Sequence, residues 1–192
     1  MTGTTFTATP RTITWGANGG GFDIADAANT FTVAQPLIGG GGLTKAGTGT
    51  LILTGSNSYS GPATASGGKL VLFNATAFNS PATIASGATL AWSGNGGYVN
   101  GSTAATIALN SGGTLENLNP ANYMVINGAV TISNTVNATA AGDRGFYLEG
   151  GLHGTGTVTI NAPTASKAAP SIWAAGSSPA STTTAAPATT WW

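Results

Sequence analysis

The sequence predicts an all-β protein, a single-stranded right-handed parallel β-helix (β-solenoid) with an irregular C-terminal tail. Three observations carry this. Short apolar-x-apolar triplets recur along the chain, with the period of two expected of strands. The first six are spaced about 17 to 20 residues apart, close to one circuit of a solenoid coil. Clusters of Gly, Asn, Ser and Pro interrupt every window in which a helical i, i+3, i+4 pattern could build up.

The triplets in order are Ile13 and Trp15, Phe31 and Val33, Leu51 and Leu53, Leu70 and Leu72, Leu90 and Trp92, and Ile107 and Leu109. Met124 and Ile126, Val130 and Ile132, Phe146 and Leu148, and Val158 and Ile160 complete the series. Each pair points to one side of its strand, so each coil is expected to place one pair inward. Stacked coils would join these pairs into a narrow continuous core. An antiparallel sandwich also fits turn signals at short intervals. The near-constant spacing of the strongest pairs favours the solenoid.

Residues 1–163 are therefore read as the β-helix. Residues 164–192 form an Ala/Thr/Pro/Ser-rich tail whose large apolar groups are Ile172, Trp173, Trp191 and Trp192. The expectation for it is an extended segment, or one packed on a neighbouring chain.

Composition limits the chemistry. Of 192 residues only 5% are charged, five basic against five acidic, and there is no Cys. Such a surface offers nucleic acid no basic patch. Disulfides and thiolate metal sites are excluded. No stretch approaches the roughly 18 apolar residues of a membrane span, so no membrane insertion by this chain is expected.

Few residues remain as candidates for a site. Asp23 and Asp26 follow Gly19-Gly20-Gly21 and hint at a calcium-binding β-roll, but the tandem copies that motif needs are missing, and a polar turn is the expectation. Asp143, Arg144, Glu149 and His153 form a local ionisable cluster. A glycan-cleaving site would need paired carboxylates or several cations, and this cluster is thin. Lys45, Lys69, Glu116 and Lys167 read as solvated charges. No catalytic, cofactor-binding or metal-ligating residue is expected.

Thr12 and Thr14, Thr30 and Thr32, and Thr48 and Thr50 lie eighteen residues apart, pair to pair. Stacking would line them into an outward Thr ladder, the feature an ice-binding solenoid uses, although Thr is also an ordinary exterior strand residue. Asn74-Ala75-Thr76, Asn100-Gly101-Ser102 and Asn137-Ala138-Thr139 match the glycosylation sequon, as expected by chance in an Asn/Thr-rich chain.

The segment Gly40 to Leu72 carries Gly42-Leu43-Thr44-Lys45, then Gly47, Gly49, Thr50, Leu51 and Leu53. Gly55, Asn57, Tyr59, Gly61, Thr64, Gly68 and Leu70 continue the pattern. It resembles the autotransporter-associated β-strand repeat of bacterial passenger regions. Residues 150–158 resemble a weaker echo of it. In this segment Asn57 and Gly61 suit turns, Asn57 hydrogen-bonding backbone or stacking on the next coil, and Tyr59 would cover the core with its hydroxyl in water.

The resemblance implies an extracellular or cell-surface location. The expected function is a non-enzymatic structural or adhesive β-helix, a passenger segment or a self-assembling fibre subunit. The alternatives are an ice-binding solenoid and a polysaccharide-active β-helix enzyme. The expected partners are the chain itself, end to end or through its tail, and a surface or glycan. The first follows from physics: a parallel solenoid leaves an open strand edge at each end, and little charge repels a neighbour.

Overall fold

A computed structural model of the chain describes residues 8–9, 11–73, 80–94, 106–141, 145–161, 172–174 and 181–184. Side chains are described between residues 11 and 161 of these. Every element among them is a strand, and every strand pairing is parallel. The antiparallel sandwich is thereby excluded, and the chain is a parallel β-solenoid.

Its coils have three faces. The first is a nine-stranded sheet running through Ala8–Thr9, Thr30–Val33, Thr50–Leu53, Lys69–Leu72, Thr89–Trp92, Thr114–Asn117, Thr135–Ala140, Thr157–Asn161 and Ser181–Thr184. The second has seven strands: Gly20–Asp23, Leu43–Ala46, Ala63–Ala65, Ala82–Ile84, Ile107–Leu109, Val130–Ile132 and Leu152–Gly154. The third carries Ile13–Trp15 paired with Leu37–Gly39 toward one end, and Met124–Ile126, Phe146–Leu148 and Ile172–Ala174 toward the other. Along the chain the faces follow one another as second, first, third. Backbone hydrogen bonds therefore run from coil to coil, along the rod.

The single series of apolar pairs thus divides among three faces. Ile13 and Trp15 lie on the third, Phe31 to Trp92 on the first, and Ile107 and Leu109 on the second. The expectation of one inward pair per coil is corrected, since a coil supplies up to three. Two strands inside residues 164–192, Ile172–Ala174 and Ser181–Thr184, pair on the preceding coil and extend the sheets past residue 163.

Alternation of buried and exposed residues follows from the pleat. On the first face Phe31, Leu51, Leu70, Leu90 and Leu115 stack in one inward column. Val33, Leu53, Leu72 and Trp92 stack in the next. The second face contributes Leu43, Ala63, Ala82, Ile107, Val130 and Leu152. One apolar cluster spans Ile24 to Ile160.

The corner between second and first faces is short and repeats one backbone requirement. Gly47, Gly68, Gly87 and Gly112 occupy it in successive coils with φ of 75°, 59°, 74° and 78°. Asn134 takes the same place in the next coil at φ 57°. Only Gly, and to a lesser degree Asn, adopts this left-handed region without penalty.

Candidate functional site

The charged residues are not all solvated. Lys45 faces inward in the column Phe22, Lys45, Ala65, Ile84, Leu109 of the second face. It is fully buried. Its Nζ donates to the carbonyls of Ala46 (2.7 Å), Gly47 (2.9 Å) and Gly67 (3.2 Å). The ammonium thus clamps its own corner to that of the next coil. Burial lowers its pKa below the usual lysine value, and the charge of Asp23 opposes that shift. Three carbonyls are what let a charge remain there.

Lys69 and Glu116 face outward on the first face and form an ion pair. Both corrections have one cause. A lysine stem is apolar, and in a chain this poor in charge it covers hydrocarbon as readily as it enters water. Lys167 lies outside the described residues.

Asn57 accepts a hydrogen bond from Leu37 N at 2.8 Å, joining one coil to the one before it. Tyr59 departs from expectation. It is buried, and its hydroxyl has no hydrogen-bond partner. Burial raises its pKa. Residues 55 to 63 alternate strictly between buried and exposed, so Tyr59 takes an inward slot, and the ring is pulled below the surface.

Sequence reasoning missed Asn117 and Asn119. Asn117 holds an inward position after Leu115, and its Nδ2 donates to Asn122 O and Gly145 O. Asn119 Nδ2 donates to Gly94 O at 2.6 Å, while its Oδ1 accepts from Ala121 N and Asn122 N. The signal was available: strand alternation from Leu115 places Asn117 inward, where an amide must find partners.

Among the described residues the outward surface carries few charges, Arg11 and Lys69 against Asp23, Asp26, Glu116 and Glu149. Asp26 holds a polar turn, its Oδ1 accepting from Ala28 N and its carbonyl from Asn29 N. Glu149 is exposed in a turn, and His153 sits on the second face with Nε2 3.1 Å from Gly150 O. Asp143 and Arg144 lie outside the described residues, as do the sequons at Asn74 and Asn100. Asn137 is half-buried in a strand. Among the described residues, no three His, Cys, Asp or Glu side chains converge as a metal site would require.

The Thr pairs do not build the expected ladder. Thr30 stacks on Thr50, but Thr32 meets Ile52, and Thr14 meets Ile38 on another face. Thr48 sits in a corner and donates to Ala25 O. Equal spacing in sequence was not equal register, because the coils differ in length. A different row forms on the second face, where Thr44, Thr64 and Thr83 stack in successive coils. An open depression of about 490 Å³ adjoins it, lined among others by Asn18, Gly21, Thr44 and Thr64.

Residues 43–72 match the family model described as Passenger-associated-transport-repeat. This stretch is an autotransporter passenger-type repeat. Its span runs from one second-face strand to the first-face strand of the following coil, so the Lys45 clamp, its three carbonyls, Asn57 and Tyr59 all fall inside one passenger-type repeat. Over 55 residues the chain is 46% identical to the Adhesin BmaC autotransporter of Brucella suis biovar 1 (strain 1330). The alignment covers 29% of this chain and 2% of that relative. No solved structure matches the chain.

Proposed function

We propose that the chain is a non-enzymatic, extracellular passenger segment. It acts as a structural spacer that presents a charge-poor adhesive surface. The passenger-type repeat within the solenoid supports this most directly, since its motif residues go into closing coils and not into a reactive cluster. A surface of Thr, Asn and Gly suits hydroxyl-bearing ligands, which exchange hydrogen bonds for those of water without burying a charge. Self-association of the chain belongs to the same reading.

The test has two arms. Antibody to the chain should label intact cells of its source, and mild external protease should remove that label. The purified chain should bind a cell surface or glycan array without changing the ligand. A purely internal location, or release of cleaved glycan, would reject the proposal.

The stacked row Thr44, Thr64 and Thr83 favours ice binding as a second reading. It requires thermal hysteresis that Thr64→Tyr abolishes without lowering Tm.

A further inference from the structure

We infer that Tyr147 and Glu149, on the third face, form a subsite that stacks and hydrogen-bonds the pyranose rings of a neutral polysaccharide. The inference rests on the adhesive reading and names a ligand class for it.

The pleat sets Tyr147 outward. Its strand neighbours Phe146 and Leu148 are 0% and 1% exposed, whereas Tyr147 keeps 45% of its surface in water. The strand Phe146–Leu148 is paired with Met124–Ile126 on one side and with Ile172–Ala174 on the other. The ring is therefore exposed on the flank of the solenoid, whatever lies beyond either end of the stack. Phe73 is the other large apolar side chain exposed among the described residues, and it follows the last residue of its strand. Tyr147 sits at the centre of a strand held in register on both sides. A tyrosine fixed in this way loses little conformational freedom when a ligand covers it.

The same face repeats aromatic residues. Val125, Tyr147 and Trp173 take corresponding register positions in three successive strands. Tyr123, half-buried, lies two residues before Val125 and so diagonal to Tyr147. Adjacent strands are roughly 4.8 Å apart, so a polymer lying along the rod meets these positions one after another.

Glu149 is exposed two residues after Tyr147, on the same side of the chain. Its position is fixed by the corner. Glu149 N donates to Ile126 O at 2.8 Å, and Gly151 N donates back to Leu148 O at 3.1 Å. Gly151 has φ 82°. A Cβ on Gly150 would fall 2.3 Å from Gly128 C, so the corner is packed closely on the coil before it.

This pairing suits a sugar. A pyranose presents a face of C–H bonds ringed by hydroxyls. The negative face of the tyrosine ring attracts the C–H face, and the carboxylate accepts hydrogen bonds from hydroxyls at its rim. Acidic sugars would meet Glu149 with like charge. The basic side chains among the described residues, Arg11, Lys45 and Lys69, belong to earlier coils. An apolar peptide would cover the carboxylate and leave it without partners.

The test uses the full chain in saturation-transfer NMR and calorimetry. The probes are neutral hexasaccharides of glucose, mannose, xylose and N-acetylglucosamine, with a galacturonic acid hexasaccharide as the acidic comparison. A neutral series should bind, and its longer members should bind more tightly than its disaccharide. Tyr147→Ala should weaken that binding about tenfold or more, while Tyr147→Phe should bind like the parent. Glu149→Gln should weaken it several-fold. Circular dichroism melts of the three variants should match the parent, because neither side chain enters the core. Attachment of the parent and of Tyr147→Ala to cells is measured alongside. Equal saccharide binding by Tyr147→Ala, preference for the acidic hexasaccharide, or cell attachment with no neutral saccharide bound would each overturn the inference and leave the adhesive role standing. Loss of both saccharide and cell binding in the parent would reject the two together.

Discussion

Lys69 Nζ reaches Glu116 Oε2 at 2.6 Å although the two residues lie two coils apart. Glu116 pairs with Ala91, and Lys69 with Thr89 of the same strand, so the pair crosses the first face diagonally. Beneath it Val71 and Ala91 are 4% and 0% exposed, although both point outward. The ion pair is a strap over an exterior apolar patch.

The charge itself should contribute little. A surface pair is worth about 1 kcal/mol or less, and here the Lys69 and Glu116 side chains keep 36% and 18% of their area exposed. Lys69→Met keeps the aliphatic cover and should cost less than Lys69→Ala. Urea midpoints of both variants, with and without Glu116→Gln, separate cover from charge. Equal losses for Met and Ala would refute the strap.

Lys45→Met should destabilise by about 1–3 kcal/mol at neutral pH, since three buried carbonyls lose their donor. The pH dependence has a sign. The folded pKa lies below the reference 10.5, so between the two values the unfolded chain binds more protons. Stability from this residue therefore rises with pH through the window below 10.5. Chemical denaturation across that window should show the rise in the parent and its loss in Lys45→Met.

Tyr59→Phe should raise stability by about 1 kcal/mol, because it removes a buried hydroxyl with no partner. Burial raises the Tyr59 pKa above its reference value of 10.0. Above pH 10 the unfolded chain ionises while the folded one keeps its proton, so stability falls there. Alkaline melts should fall less steeply for Tyr59→Phe. An unchanged slope would place the hydroxyl in water.

The corner rule predicts an order of stabilities. Gly68→Ala forces a Cβ into the left-handed region and 2.3 Å from Gly49 O, costing about 2 kcal/mol or more. At Asn134, Gly should be tolerated within about 0.5 kcal/mol and Ala should cost about 1 kcal/mol. Thermal melts of the three variants decide the matter.

The strand class and the parallel stacking were legible in the apolar triplets, because Leu, Ile and Val at alternate positions have few other uses in a glycine-rich chain. What hid the three faces was the weakness of the second. Ala63 with Ala65, and Ala82 with Ile84, bury little surface and leave a faint pattern, and Lys45 breaks the column outright. Register was hidden as well. Coil lengths vary, so Thr12, Thr30 and Thr48 match in spacing and miss in space. Asn57 could be read from its turn, whereas Tyr59 could not, because the missing clue was the inward slot it fills.

Because the inter-coil bonds lie parallel to the long axis, tension applied between the two ends loads them head-on, one tier after another. Each tier that opens releases about 20 residues, or roughly 65 Å of slack, before the following one bears the load. A tether of this build lengthens stepwise under shear and can re-close on the tier still intact. Under the proposed adhesive role, that would convert a sudden pull into a series of small yields.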